Sequence, residues 1–134
     1  MALIAPPPKL EQIDIDPAAV LPAVFRVLDA WDIPNRERAA ILGLDSESTL
    51  YVWKKRPPAR LSSEKLERLA HILWIYELLH ALFGDGPAAD NFLDRPNAAP
   101  PFNGGKPIQL LASGSFAVIH TIYQWLVAQT QGWL

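Results

Sequence analysis

The chain has 134 residues, half of them hydrophobic and 19% charged, with a formal net charge of −2. This is too apolar for a disordered protein and fits one compact domain or two small helical lobes that share a core. No stretch supplies the roughly 20 uninterrupted apolar residues of a membrane span, and the amino end lacks the pattern of a secretory signal. Without cysteine, disulfides, thiolate nucleophiles and thiolate zinc sites are excluded, so we expect a cytoplasmic protein.

The first predicted helix follows an arm. Residues 1–15 contain three consecutive prolines and no usable periodicity, and they are interpreted as an extended arm. Asp16 followed by Pro17 is a helix-start signal, and apolar residues then recur at helical spacing as far as Trp31. Pro22 either sits in the first turns of that helix or marks its true beginning.

Two short helices and a long one are predicted next. Asn35 is a candidate cap for a helix that ends near Gly43, and Asp45 or Ser46 can cap a third helix, which the Pro57-Pro58 pair stops. A long helix then runs from Ser62 or Ser63 to Phe83. Twelve of the fifteen positions over 69–83 are apolar or aromatic, so this helix should be covered on more than one side.

The remaining third of the chain is predicted to be helical as well. A short helix over 87–93 precedes a connector rich in proline and glycine, and two final helices are expected near 107–111 and 115–130. No convincing alternating strand is present. The sequence therefore predicts an all-α fold, with a helix-turn-helix lobe packed with a carboxy-terminal helical domain.

Residues 35–53 have the pattern of a helix-turn-helix. Small residues precede a Leu-Gly-Leu turn, and Thr49-Leu50 and Trp53 follow on the second helix. The interval from Gly43 to Thr49 is six steps, one more than usual, so either the turn has an extra residue or the register of the second helix is altered.

The distribution of charge is compatible with a DNA-binding helix-turn-helix but does not require one. Residues 36–68 contain eight basic and five acidic residues, a net +3, and the rest of the chain carries −5. If DNA is bound, the candidates for base edges are Ser46, Ser48 and Tyr51, and those for phosphates are Arg36, Arg38, Lys54, Lys55 and Arg56. A three-helix scaffold whose basic residues only maintain solubility is the alternative.

No enzyme, metal site or cofactor is predicted. His71 and His80 are nine residues apart, which is not the i, i+4 spacing of a metal pair, so ordinary core or surface histidines are expected. Asn103-Gly104-Gly105-Lys106-Pro107 lacks the spacing of a phosphate-binding loop. Ser113-Gly114-Ser115 lacks the second glycine and the preceding strand of a nucleophile elbow. It is predicted to cap the last helix.

The carboxy-terminal segment indicates a partner protein. Gly132, Trp133 and Leu134 place an aromatic ring, an aliphatic chain and a free carboxylate at the end of the sequence. No polar tail follows that could cover them, so we expect another molecule to hold them. The adjoining features are Trp74 on the long apolar helix, Phe92-Leu93 and the run FNGGKPIQLL over 102–111.

In this order, behind a helix-turn-helix, these segments resemble the MbcA/ParS/Xre antitoxin family. The resemblance covers residues 17–134 and implies a helix-turn-helix lobe over 16–83 and a toxin-binding domain over 84–134. It implies a type II antitoxin without catalysis, whose partner is a RES-domain toxin that degrades NAD or transfers ADP-ribose. A homodimer within a hetero-oligomeric complex, operator DNA as a further partner and no membrane are also implied.

The resemblance further implies which residues lie against the toxin and close its NAD pocket. These are Phe102, Asn103, Gly104, Lys106, Pro107, Trp125, Gly132, Trp133 and Leu134. A terminal carboxylate can meet arginines that hold a pyrophosphate, and Trp133 can occupy the space of a base. One alternative has Trp133 folded back on its own helices, and another is a dimeric helix-turn-helix transcription regulator without a toxin partner.

Overall fold

The computed structural model describes residues 16–131, which form seven α-helices and a short 3-10 helix with no β-strand among them. The first four are α1 (Pro17–Ala30), α2 (Asn35–Ile41), α3 (Glu47–Lys55) and α4 (Ser63–Phe83). Then follow α5 (Pro87–Asn91), the 3-10 helix (Phe92–Asp94), α6 (Pro107–Leu111) and α7 (Phe116–Gln131). The all-α prediction is confirmed, and the predicted arm over 1–15 lies outside the described residues.

Side-chain oxygens cap α7 as well as three earlier helices: the Val118 N–H donates to the Ser115 hydroxyl at 3.4 Å, which confirms the predicted cap of the last helix. Asp16, Ser46 and Ser62 each accept a hydrogen bond from a backbone N–H of the following first turn. The prediction that Asn35 caps α2 is wrong. Pro34, with φ −63° and ψ 154°, occupies the cap position without a side-chain hydrogen bond, and Asn35 is the first helical residue.

Helix α1 is continuous through its internal proline. Pro22 lies within the helix and its ring is exposed, so the interruption of the backbone hydrogen bonding faces solvent. The opposite face buries Leu21, Val24 and Leu28 completely. Pro22 therefore sits in the first turns of α1, as one of the two interpretations of the sequence predicts.

Helix α4 is the central element of the fold. Its side chains Leu69, Ile72, Ile75 and Leu79 are almost fully buried, and the helix packs against α1, α5 and α7. The high apolar content over 69–83 is thus accommodated by covering α4 on several sides. One hydrophobic cluster runs through the whole described chain, from α1 to α7.

Helices α4 and α7 form the most extensive helix pair and run side by side in the same direction. His71 meets His120 with ring centroids 5.1 Å apart, and one turn further along both helices Trp74 meets Tyr123 at 5.7 Å. Parallel neighbours require a connection that returns the chain to the starting end, and residues 84–115 provide it.

The turn between α6 and α7 touches the helix-turn-helix directly. Gly114 has φ +79°, and a Cβ atom built there would lie 3.1 Å from the carbonyl oxygen of Ala40 in α2. Only glycine permits both that backbone conformation and that approach. The two predicted segments, 16–83 and 84–134, are therefore in contact as well as sharing a core.

Candidate DNA-binding and partner-binding surfaces

The turn between α2 and α3 is closed by the end of α2 itself. Gly43 has φ +70°, its N–H donates to the Ala40 carbonyl, and the Leu44 N–H donates to the Ala39 carbonyl. This pair of hydrogen bonds is a Schellman motif, which ends a helix on a left-handed glycine. The extra residue of the predicted motif therefore lies between Gly43 and the Ser46 cap, and α3 begins regularly after it.

Two basic residues of α4 donate hydrogen bonds to the backbone of this turn. Lys65 Nζ donates to the Gly43 carbonyl, and Arg68 Nη1 donates to the Ile41 carbonyl at 3.1 Å. Glu64 pairs with both cations. Partial burial raises the pKa of Glu64, but its hydrogen bonds and charge interactions with Arg68 and Lys65 outweigh that effect and lower the pKa below its usual value.

Arg38, a predicted phosphate contact, is buried with its guanidinium turned towards α1. Nη1 binds the Asp29 carboxylate at 2.6 Å, Nε donates to the Ile33 carbonyl at 2.5 Å, and Nη2 donates to the Leu28 carbonyl at 3.4 Å. The bond to Ile33 satisfies a carbonyl group in the turn that follows α1, whereas the Leu28 carbonyl also accepts from the Ile33 N–H. Arg38 therefore does not lie with the exposed cations Arg36, Lys54, Lys55 and Arg56.

The outward face of α3 is defined by Ser48, Tyr51, Val52 and Lys55, which are spaced i, i+3, i+4 and i+7 and are all exposed. Tyr51 is 62% exposed and Val52 57%. Lys55 Nζ lies 4.7 Å from the centroid of the Tyr51 ring, a cation–π distance. Leu50, on the opposite side, is 3% exposed and fixes the rotation of α3, so this face is directed away from the core.

The two predicted base-edge serines differ in their environment. The Ser46 hydroxyl is 3.4 Å from the Thr49 N–H and 3.3 Å from the Thr49 hydroxyl. It is therefore engaged in capping α3, although the residue is exposed. Ser48 and Tyr51 belong to the outward face itself. Val52 was missed because an isolated valine in a helical pattern carries no motif, whereas its exposure depends on tertiary packing.

The predicted partner-binding connector is closed on itself by hydrogen bonds. The Asn97 N–H donates to the Gly105 carbonyl at 3.0 Å, and the Gly104 N–H donates to the Asn97 carbonyl at 2.7 Å. Asn103, with φ 51°, and Gly104, with φ 90°, form the exposed bend. The segment 97–105 thus has a defined shape without belonging to a helix.

The predicted partner-binding residues of this region divide by burial. Phe102 is 5% exposed and its ring meets the half-buried Trp125 edge-on at 5.2 Å, and Pro107 is also buried. Lys106 is exposed and its Nζ is 3.2 Å from the Asp94 carboxylate. The structure therefore brings these residues together, with aromatic packing beneath an exposed polar bend. The predicted contacts Gly132, Trp133 and Leu134 lie outside the described residues.

His71 and His120 form a hydrogen-bonded pair between α4 and α7. His71 Nδ1 is 2.7 Å from the Glu67 carbonyl and must donate to it, so His71 Nε2 accepts from His120 Nδ1 at 2.9 Å. Burial lowers the pKa of His71, against the raising effect of the Glu67 carbonyl. The pair holds two helices together, and sequence reasoning missed it because residues 71 and 120 are far apart in the chain.

Comparison with known proteins defines the family. Residues 11–73 match the model of the antitoxin Xre-like helix-turn-helix domain. The chain is also 34% identical over 114 residues to the uncharacterized protein y4oB of Sinorhizobium fredii (strain NBRC 101917 / NGR234), which is 85% of this chain and 86% of that protein. The chain belongs to the family that carries this antitoxin helix-turn-helix domain.

The matched part of this antitoxin-type chain covers the first three helices and the first half of the fourth. It extends through α1, α2 and α3 and ends at residue 73, within α4. That boundary lies beyond Lys65 and Arg68, so the residues that hold the turn from α4 belong to the helix-turn-helix domain. The predicted helix-turn-helix is confirmed, as an antitoxin or regulator domain.

Two kinds of site are not found in the part of the chain that the structure describes. Between residues 16 and 131, no three His, Asp or Glu side chains are grouped so as to hold a metal ion. His80 bonds to Asp85 at 3.2 Å and to Asp90 at 3.0 Å through opposite ring nitrogens, which joins α4 to α5. None of the described helices combines the length and the apolar character needed to cross a bilayer.

Proposed function

We propose that this protein is a type II antitoxin that binds a RES-domain toxin and blocks its NAD-binding active site. The observation that carries the proposal is the match of residues 11–73 to an antitoxin Xre-like helix-turn-helix domain, followed by a second lobe with a shaped, exposed connector. In this proposal the protein acts in the cytoplasm as a homodimer within a hetero-oligomeric complex, and it performs no catalysis itself.

The connector supports the proposal through its preorganisation. Asn103, Gly104 and Lys106 are exposed on a bend that backbone hydrogen bonds already hold in shape, so little conformational entropy is lost when a partner binds. Phe102, Pro107 and Trp125 support that bend from the core side. We therefore assign direct contact with the toxin to the exposed residues and a positioning role to the three anchors.

The carboxy-terminal residues complete the proposed inhibitor. Helix α7 leads directly to Gly132, Trp133 and Leu134. In our proposal the Trp133 ring occupies the space of a nucleotide base in the toxin. Residues 132–134 would then exclude NAD by imitating its base.

The experiment first establishes whether the adjacent reading frame encodes a RES-domain protein, and then measures NAD consumption by that protein during titration with the purified full-length chain. We expect stoichiometric inhibition, and we expect deletion of residues 132–134 to raise the inhibition constant at least tenfold, the loss of about 1.4 kcal/mol of binding. Lys106→Ala should weaken inhibition in the same direction. Lys54→Ala, an exposed lysine on the other lobe, is the matched control and should inhibit like the wild type.

Two results separate parts of this proposal. If the full-length chain neither binds nor inhibits the toxin, the antitoxin assignment is wrong. If the deletion variant inhibits as well as the wild type, only the role of the tail is wrong, and the connector surface remains as the inhibitory contact.

The second candidate is a dimeric helix-turn-helix regulator without a toxin partner. The exposed outward face of α3, with Tyr51 62% exposed and Val52 57% exposed, favours DNA binding by either kind of protein. Specific retardation of upstream DNA combined with no binding to any neighbouring gene product would favour this candidate over the antitoxin.

A further inference from the structure

The outward face of α3 presents a set of groups that differ chemically. Ser48 offers a hydroxyl group, Tyr51 a phenol, Lys55 a cation and Val52 two methyl groups. Val52 is 57% exposed although valine is a weak helix former. Neither burial nor helix propensity therefore accounts for valine at this position.

We propose that Val52 is a specificity-determining residue that contacts the C5 methyl group of a thymine in the DNA major groove. The proposal rests on the DNA binding proposed above. The thymine methyl is the apolar group that base pairs display in that groove, where the other readable features are hydrogen-bond donors and acceptors. A methyl-bearing side chain on a recognition helix matches that group and no other base-edge feature.

The packing of α3 determines that Val52 reaches outwards. Leu50 is buried at 3% exposure and Trp53 packs partly against the core, so the helix cannot rotate without losing these contacts. Val52 lies between those two positions in the sequence and on the opposite side of the helix, next to Tyr51.

The neighbouring lysines restrict the direction of approach further. Lys55 Nζ lies over the Tyr51 ring at 4.7 Å, and Lys54 Nζ lies over the Phe25 ring of α1 at 5.6 Å. The two cations thus stand on different sides of the helix, from which they can reach phosphates on either strand. Val52 lies on the side of Lys55 that faces away from Lys54, and its exposed methyl groups are free to approach a base edge.

The test uses the full-length protein and a library of random-sequence DNA duplexes. Sequences enriched by repeated selection are resynthesised with each thymine replaced in turn by uracil, which removes only the methyl group. We expect one thymine per half-site whose replacement weakens binding about fourfold, the effect of one buried methyl group. With Val52→Ala we expect weaker binding to the thymine duplex and no further loss on replacement by uracil.

Phe83→Ala is the matched control, since Phe83 is an exposed apolar residue, 43% accessible, at the last position of α4 and away from α3. It should retain the wild-type sensitivity to uracil. Thermal unfolding of Val52→Ala should occur at the wild-type temperature or slightly above it, because the side chain is exposed and alanine favours the helix more than valine does.

The outcomes separate this inference from the proposed function. Enrichment of a sequence that binds equally well with uracil, or uracil sensitivity that persists in Val52→Ala, overturns the role of Val52 and leaves DNA binding intact. Failure to enrich any sequence overturns both DNA binding and this inference. Dimer dissociation by Val52→Ala in the absence of DNA would assign Val52 to a protein interface and also overturn the inference.

Discussion

Two arginines of α2 show how strongly the role of a residue depends on which side of a helix it occupies. Arg36 is exposed, whereas Arg38, two positions later, is buried and bonded to the Asp29 carboxylate and to two carbonyl groups near the end of α1. The sequence predicts the same phosphate-binding role for both. The structure places only Arg36 where it can meet a phosphate.

We expect Arg36→Ala and Arg38→Ala to have different effects. Arg36→Ala should reduce the slope of log affinity for DNA against log salt by about 0.9, the value for one lost phosphate contact, without changing stability. Arg38→Ala should lower the free energy of unfolding by about 1–3 kcal/mol, since it leaves the buried Ile33 carbonyl without its donor. Salt titrations of DNA binding and urea denaturation measure the two effects. Equal stabilities of the two variants would contradict the assignment.

A pair of glycines allows backbone conformation to be separated from close contact. Gly114 and Gly104 both have positive φ, of +79° and +90°. A Cβ atom built at Gly114 would lie 3.1 Å from the Ala40 carbonyl oxygen, whereas a Cβ atom built at Gly104 would have no other atom within 4 Å. Gly104→Ala should therefore cost only the backbone term, about 1–2 kcal/mol.

Gly114→Ala should cost a further 1–3 kcal/mol or so, because the turn between α6 and α7 must move away from α2. Urea denaturation of the two variants gives the comparison directly. If both lose the same stability, the contact between this turn and α2 contributes nothing measurable.

At the scale of elements, α4 links the two surfaces. Lys65 and Arg68, near its start, hold the turn of the helix-turn-helix, and His71, one turn later, pairs with His120 of α7. These contacts lie within two turns of a single helix. The position of the turn between α2 and α3 is therefore fixed by the same helix that supports the second lobe.

We expect Arg68→Met to destabilise the protein by about 1–3 kcal/mol, because the Ile41 carbonyl at the end of α2 loses its donor in a buried site. Lys65→Met should have a smaller effect in the same direction, as Lys65 is less buried. Arg36→Met, on the exposed surface, is the control and should leave the urea midpoint unchanged. A urea midpoint in Arg68→Met equal to that of the control would show that the hydrogen bond from Arg68 to the Ile41 carbonyl does not contribute to stability.

Helix boundaries were largely predictable because they depend on local chemistry. Ser46, Ser62 and the Gly84 that follows Phe83 act through backbone groups within a few residues of themselves. Asn35 was misplaced by one position, since Pro34 is equally compatible with the extended cap conformation. The surfaces were less predictable, because the burial of Arg38 depends on how α2 packs against the end of α1, and the burial of Phe102 depends on Trp125 of α7.

At the scale of the whole molecule, the contact between α4 and α7 makes stability depend on pH. His71 lies in a box formed by the rings of Trp74, Phe116, His120 and Tyr123. The titratable groups that face it are His120 and Tyr123 from α7 and Glu67 from α4. A second proton would place charge in this aromatic environment and disrupt the hydrogen bond between the two histidines.

Because the pKa of His71 is lowered in the folded state, the unfolded chain takes up a proton first as the pH falls. Stability should be lost as the pH falls below the unfolded value of about 6.5, and the loss should stop below the folded pKa. Between about pH 7 and about pH 5, the free energy of unfolding should fall less in His71→Gln than in the wild type. Urea denaturation at each pH measures it, with the range above about pH 7.5 as an internal control. An identical pH dependence in both proteins would contradict the prediction.

The sequence by itself determined the all-α class, the order of the helices and most of their ends, because apolar periodicity and capping act over a few residues. The tertiary structure decided which polar groups are exposed. It buried Arg38, paired His71 with His120, brought Phe102 against Trp125 and left Val52 in solvent. The physical reason is that burial and hydrogen bonding at these positions come from side chains on other helices, whose arrangement is set by packing the entire core around α4.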